Sequence, residues 1–331
     1  AAIFVLGVSS WYMLRGRHLA LARRSIAVAA SFGLASALSV VVLGDESGYD
    51  AGLNQKMKLA AIEAMWETDP APAPFTLLGI PDQQARETKW AVRIPYVMGL
   101  IGTRSLTREI PGIEELVQEA EQRVRSGLIA YDALMTIQQD RENTDPGVNA
   151  VFQRHSDDLG YALLLRRYLD DPRQATEAQI AQAAADTVPR VWPIFWSFRI
   201  MVGLGLLFIA ATGYFFIISS FRRGRYPKWA LRGAVMMIPL PWVAAELGWI
   251  VAEYGRQPWT VDGILPTALS VSALSATEVL LTIAGFAAFY TLLFVIEVRL
   301  LLKYIRLGPQ EDVQITDDWR ASHRARLKPA E

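Results

Sequence analysis

The chain has 331 residues, with 33 Lys and Arg against 33 Asp and Glu, and no cysteine. A balanced charge argues against a nucleic-acid binder, which carries a basic excess. The 52% hydrophobic content and ten Trp exclude a disordered chain, and the lack of thiols excludes disulfides, thiolate zinc sites, iron–sulfur clusters and thiol catalysis.

Charge is segregated along the sequence. Residues 1–14 are apolar but shorter than the roughly 20 residues that a helix needs to cross a bilayer core of about 30 Å. No basic segment precedes them, as it would in a signal peptide. They read as the second half of a helix, and the sequence as the C-terminal portion of a longer protein. Four longer stretches predict transmembrane helices. Residues 25–43 carry no charge, 191–219 only Arg199, 229–251 only Arg232 and Glu246, and 279–296 none. The expected fold is all-α: a polytopic membrane helix bundle of four complete transmembrane helices plus one partial. Its parts are 1–43, an outer loop 44–190, three spans within 191–306, and a polar tail 307–331.

The basic loops set the orientation. Residues 15–24 hold Arg15, Arg17, Arg23 and Arg24 without an acid, and 220–232 hold Arg222, Arg223, Arg225, Lys228 and Arg232 without an acid. Both loops face the cytoplasm in this reading. So does the tail after Lys303 and Arg306, which leaves 44–190 and 252–276 outside. The long outer loop has 15 Lys and Arg against 23 Asp and Glu, a net charge of −8. A loop of that length is expected to be structured. Residues 44–104 mix Gly, Pro and aromatics, whereas 110–185 read as amphipathic helices broken at Asp145–Gly147. Thr176 and Gln179 fit a capping box. The outer loop as a whole is expected to be mostly helical.

Several residues can carry chemistry. Glu246, Trp249 and Glu253 stand at i, i+3 and i+7, on one face of a helix. Glu246 lies within the apolar run, where an ionisable group costs at least about 2.5 kcal/mol and commonly faces a bundle interior, a cofactor or a water path. Glu253 alone also fits a helix-end carboxylate reaching the interface. Pro239 and Pro241 predict a kink. Arg199 fits a side chain that snorkels to the outer interface. Met201 fits a core gap-filler, or a thioether ligand to haem iron, and spacing does not decide between them. In KLAAIEAMWE, Lys58, Glu63 and Glu67 fit a solvated helix face. They fit equally a site that takes protons from a reduced substrate, with Glu63 as acceptor and Lys58 as its electrostatic partner. His18, His155 and His323 read as surface residues.

These positions coincide with a set of motifs: GDESGY (Gly44–Tyr49), KLAAIEAMWET (Lys58–Thr68), FTLLGIPD (Phe75–Asp82), FRIMVG (Phe198–Gly203), IPLPW (Ile238–Trp242), EYGRQPW (Glu253–Trp259), LPT (Leu265–Thr267) and RLGP (Arg306–Pro309). With them the chain resembles subunit I of the cytochrome bd-type quinol oxidases, in the branch with a long quinol loop. The resemblance implies oxidation of quinol at the outer face and reduction of dioxygen to water, which builds a proton motive force without a pump. It implies a low-spin haem b, a high-spin haem b, and haem d or a b-type haem in its place. Lys58 and Glu63 match the residues linked to quinol oxidation, and Met201 an axial ligand of low-spin haem b with Arg199 beside it. Glu253 matches the carboxylate ligand of a high-spin haem, Trp249 an aromatic between haems, and Arg256 the arginine of the GRQPW motif. Glu246 joins them as a cofactor-facing acid. The implied partners are an upstream segment of the same subunit carrying the opposing ligands, subunit II, a small single-helix subunit as an optional addition, membrane lipid and quinol. The implied location is the bacterial cytoplasmic (inner) membrane, with the large loop on the outer, periplasmic side. The competing readings are a polytopic transporter or receptor with an outer helical domain, and a structural, non-catalytic subunit.

Overall fold

A computed structural model describes residues 1–139, 145–221 and 225–308. Arg222, Arg223, His323 and the polar tail from Pro309 onward lie outside the described residues. The described chain is mostly helical, as expected. The apolar first stretch forms α1 (Ala2–Arg15), which at 1.5 Å per residue reaches only about 21 Å. Three helices are long and apolar enough to cross a membrane: α2 (Leu19–Asn54), α8 (Val191–Phe221) and α11 (Ala276–Leu307). The fourth predicted span is a bent pair, α9 (Lys228–Met236) and α10 (Leu240–Trp249) with the π turn Ile250–Tyr254, and the two halves meet at 41°. Pro239 and Pro241 sit at the bend, where neither can donate a backbone N–H, so the predicted kink is found. Helix α2 packs against α1 and α8, α1 against α9, and α10 against α8.

Helix α2 does not stop where its apolar run does. Its 36 residues extend about 54 Å, well past a core of about 30 Å, so GDESGY is the helix's polar outer end rather than the start of a loop. Hydropathy marks where the environment changes, and the backbone hydrogen bonds continue beyond that point. There Arg104 reaches Asp45 at 3.1 Å and Glu46 at 2.5 Å, and its guanidinium lies 4.2 Å over the Tyr49 ring.

The outer layer, so named only because it lies beyond the apolar spans, follows. Helix α3 (Lys56–Glu63) is short. FTLLGIPD is strand β1 (Phe75–Asp82), paired antiparallel with β2 (Glu87–Ile94). The outer layer is mostly helical as expected, and this hairpin is an exception within it. Gly79 and Pro81 hide the strand signal by interrupting the period-2 pattern, and Trp66 fixes the hairpin by donating from Nε1 to Thr88 Oγ1 at 3.0 Å. The four helices beyond it are α4 (Ile113–Gln139), α5 (Pro146–His155), α6 (Leu159–Leu163) and α7 (Glu177–Ala185). Thr176 caps α7 in a full capping box with Gln179, as the sequence predicts, and Asp145, where the sequence predicts only a break, caps α5. The small faces of α3 (Ala60, Ala61, Ala64) pack with Trp66 on Ile113 and Leu116 of α4 and on Val191 and Phe195 of α8. Burial of a side chain such as Phe195 contributes about 1.5–3 kcal/mol. The outer layer is thereby docked on the outer end of the span that carries Arg199 and Met201.

Candidate functional site

Helix α3 ends abruptly after Glu63. Ala64 takes φ 51° and ψ 43°, a left-handed conformation that costs a residue with a Cβ about 1–2 kcal/mol. The turn folds Met65 back, so that its N–H donates to the Ala60 carbonyl at 2.9 Å. Glu63 is thus held at the last helical position, and it is 2% exposed.

Its partner is Arg199, which is 9% exposed. Arg199 does not snorkel to the interface. Its Nη2 donates to Glu63 Oε2 at 3.2 Å, its Nε to the Thr76 carbonyl at 2.8 Å, and its Nη1 to the carbonyls of Ile62 (2.7 Å) and Phe195 (3.1 Å). The Phe195 ring lies 3.4 Å from the guanidinium carbon. A buried charge survives only when paired and hydrogen-bonded, and every arm of this guanidinium has an acceptor. Thr76 closes the ring, with its N–H donating to Glu63 Oε2 at 3.4 Å. Burial pushes the Glu63 carboxyl up to about 7, with Arg199 and the Thr76 N–H pulling the other way. The solvated-face reading of Glu63 therefore fails. Glu67 lies beyond the end of α3 and shares no helix face with it.

The structure does not bring Lys58 and Glu63 together. Five residues apart on a helix, they project about 140° from one another. Lys58 instead donates from Nζ to the Ala252 carbonyl at 3.1 Å. Burial draws its ammonium below the ordinary lysine value, against the pull of Glu253. Glu253 sits in the π turn Ile250–Tyr254, half-exposed, with Oε2 2.6 Å from Arg256 Nη2. The π turn adds a residue to the helical turn, so the i, i+7 face shared by Glu246 and Glu253 in an ideal helix is interrupted at Ile250. Glu246 is exposed and Trp249 is 63% exposed, and both look away from the rest of the described chain. Lys58, Arg123, Tyr161, Arg256, Trp259 and Asp262 line a cavity of about 270 Å³ where the outer layer meets the loop after the π turn. The GRQPW and LPT motifs are the two arms of that loop. Thr267 donates through its N–H to the Pro258 carbonyl (2.8 Å) and through its hydroxyl to Gln257 Oε1 (2.9 Å).

Met201 lies two positions after Arg199, so it projects from the far side of α8, toward α10. A Cβ on Gly248 would sit 3.0 Å from its sulfur, and glycine leaves the thioether clear. Met201 offers a soft donor and Glu253 a hard one, on separate helices. The Nε of Arg256 is buried and has no acceptor among the described residues. Among the described residues no three His, Asp or Glu are grouped to hold a free metal ion. Sequence reasoning missed Thr76 and the Ile62 carbonyl, which complete the Arg199 shell. The FTLLGIPD motif contained Thr76, but nothing in the motif tied it to Arg199.

The family model for cytochrome bd terminal oxidase subunit I matches residues 1–309. Cytochrome bd-II ubiquinol oxidase subunit 1 of Escherichia coli (strain K12) is 39% identical over 310 residues, which are 93% of this chain and 60% of that protein. Cytochrome bd ubiquinol oxidase subunit 1 of Bacillus subtilis (strain 168) is 26% identical over 312 residues, 94% of this chain and 54% of that protein. This chain thus spans little more than half the length of the curated relatives it matches. The chain belongs to the cytochrome bd terminal oxidase subunit I family.

Proposed function

We propose that this chain is part of a haem-containing quinol oxidase, taking electrons and protons from quinol at the outer face of the bacterial inner membrane and contributing to the reduction of dioxygen to water. The observation that carries this reading is the buried Glu63–Arg199 pair. It joins the outer layer to the helix that bears Met201, two residues away. Family membership removes the footing of the transporter and structural-subunit alternatives.

The donor set fits iron held in a macrocycle. A macrocycle fills four positions itself and needs only single ligands from separate helices, such as the Met201 sulfur and the Glu253 carboxylate. The buried Nε of Arg256 is a donor suited to an acidic group on the macrocycle's edge. A bound haem would supply one-electron carriage and an iron able to bind dioxygen. In this reading Met201 holds low-spin haem b, Glu253 a high-spin haem, and the third haem is d or b-type. The opposing ligands come from the part of the family's length that these residues do not cover. Trp249 and Glu246, exposed on α10, face those groups or the remaining subunits.

Glu63 is the proton acceptor for the quinol hydroxyl. Its carboxyl, pushed up to about 7, is poised between holding and releasing a proton near neutral pH. Arg199 balances its charge while it is ionised, and the Phe75 and Phe195 rings lie against the Arg199 guanidinium. Protons released outside and taken up from the cytoplasm build the membrane potential without a pump. The basic residues at 15–24 and at Arg225, Lys228 and Arg232 support a cytoplasmic placement of those loops and an outer placement of 44–190. The partners are subunit II, a small single-helix subunit where present, lipid and quinol.

The test compares Met201→Leu with Glu63→Gln in the complex purified from membranes. Met201→Leu is expected to abolish the reduced low-spin haem b band. Glu63→Gln is expected to keep that band while slowing quinol oxidation by about 100-fold. An unchanged band in Met201→Leu overturns the ligand assignment. An unchanged quinol rate in Glu63→Gln overturns the proton role.

A further inference from the structure

Lys58 and Glu63 belong to one short helix, yet the fold sends them to different places. Glu63 goes to Arg199 and Thr76. Lys58 goes to the turn that carries Glu253, 194 residues along the chain from Lys58 to Ala252. Two contacts define this connection. The ammonium donates to the Ala252 carbonyl at 3.1 Å, immediately before Glu253. The stem lies against Gly255, where a Cβ would come 3.4 Å from both Lys58 Cγ and Cε. The same Cβ would meet the Val251 carbonyl at 2.4 Å, so glycine permits the turn and the lysine lies across it. The last carbonyls of any helix have no intrahelical partner, and a cation at a helix C-terminus also faces the negative end of the helix dipole. Lys58 answers both conditions at the end of the π turn.

We propose that Lys58 is a positioning residue for Glu253: it clamps the Ala252–Gly255 turn from the outer layer and so fixes the carboxylate that faces the haem site. This rests on the reading of Glu253 as a haem ligand, and it assigns Lys58 a task separate from the proton chemistry of Glu63. The consequence is a mechanical link between the outer layer, where quinol is oxidised, and a ligand of the oxygen-reducing pair.

Lys58→Met keeps the stem and removes the donor, and Lys58→Arg restores a donor. In the intact complex, hydrogen exchange across residues 250–257 is expected to speed up about tenfold in Lys58→Met, through loss of one charge-assisted hydrogen bond. Exchange across 60–68, around Glu63, should stay at its original rate. The high-spin haem band should shift or lose intensity in Lys58→Met while the low-spin band holds, and Lys58→Arg should recover most of both effects. Unaltered exchange across 250–257 overturns the clamp. So does a Lys58→Met complex whose only defect is a raised KM for quinol. Glu253→Gln, measured alongside, addresses the underlying reading: an intact high-spin band there removes Glu253 as a ligand, whatever the exchange experiment shows about the clamp.

Discussion

Two carboxylate–arginine pairs sit on either side of α3, and their separations mislead about their weight. Glu253 and Arg256 are closer, at 2.6 Å, and neighbours on one turn, but each side chain is 39% exposed. Glu63 and Arg199 are 3.2 Å apart and come from segments separated by 136 residues, with side chains 2% and 5% exposed. The first pair shares its charge with water and can open to take another partner. The second has no water to fall back on, so each member is committed to the other. Burial, more than distance, separates a pair that holds a fold together from one that leaves a ligand available.

The contrast is tested most severely by removing each arginine. Arg199→Met strands a buried carboxylate and takes donors from the Thr76, Ile62 and Phe195 carbonyls. It is expected to destabilise the docking of the outer layer by about 3–5 kcal/mol and to abolish quinol oxidation. Arg256→Met, acting on a half-exposed pair, is expected to cost about 1 kcal/mol. Thermal denaturation of the purified complex, followed by proteolysis of the outer layer, measures both. Equal losses would erase the distinction.

The two pairs also differ in how far the sequence revealed them. Spans were legible because hydropathy is a local property: α8 appears as an apolar run broken by one charge and α11 as a run around 279–296 with none, and the bend at Pro239 follows from one residue type. The capping box at Thr176 was legible for the same reason, since donor and acceptor lie within three residues. Arg199 was not. As one arginine in an apolar run it looks like a snorkelling side chain, and only the folded outer layer brings Glu63 and the Thr76 carbonyl to it. The β1–β2 hairpin was hidden by Gly79 and Pro81. The π turn at Ile250 was hidden because an inserted backbone residue leaves no mark on composition. The resemblance to the family named Lys58, Glu63, Met201 and Glu253 as site residues. The structure adds that Glu63 joins Arg199, Lys58 joins the turn that carries Glu253, and Met201 faces α10 apart from both.

A pH titration sharpens the comparison further. The Glu63 carboxyl binds its proton up to about 7 in the fold, against 4.5 for an ordinary glutamate. Between those values the folded state holds more protons than the unfolded one, so raising the pH through that window costs stability, and the loss levels off above about 7. Arg199 from α8 and the Thr76 N–H from β1 face the carboxyl and stay charged or fixed throughout. Glu63→Gln should flatten the dependence of outer-layer stability on pH between about 4.5 and 7. In the proposed role of proton acceptor Glu63 works when ionised, so in activity the sign is opposite. Quinol oxidation should climb through about pH 7 in the native protein, and that inflection should vanish in the glutamine variant. An inflection that survives Glu63→Gln would assign the titration to another group.

The smallest effect concerns the turn that presents Glu63. Ala64 holds a left-handed conformation at φ 51°, which costs about 1–2 kcal/mol for a residue with a Cβ, whereas glycine enters it freely but loses about 0.5–1 kcal/mol more chain entropy on folding. Ala64→Gly should therefore stabilise the end of α3 by up to about 1 kcal/mol. The side chain it removes is buried among Ala60, Ala61 and Trp66, and losing one methyl from that cluster takes back part of the gain. A small rise in outer-layer stability, with the Glu63 inflection unmoved, is the expected result. A fall would mean that the methyl's packing outweighs the backbone strain. The abrupt end of α3 would then be held by side-chain contacts rather than tolerated at a backbone cost, which would place the rigidity of the Glu63 site in the alanine face of α3 and leave the contrast with the half-open Glu253 turn intact.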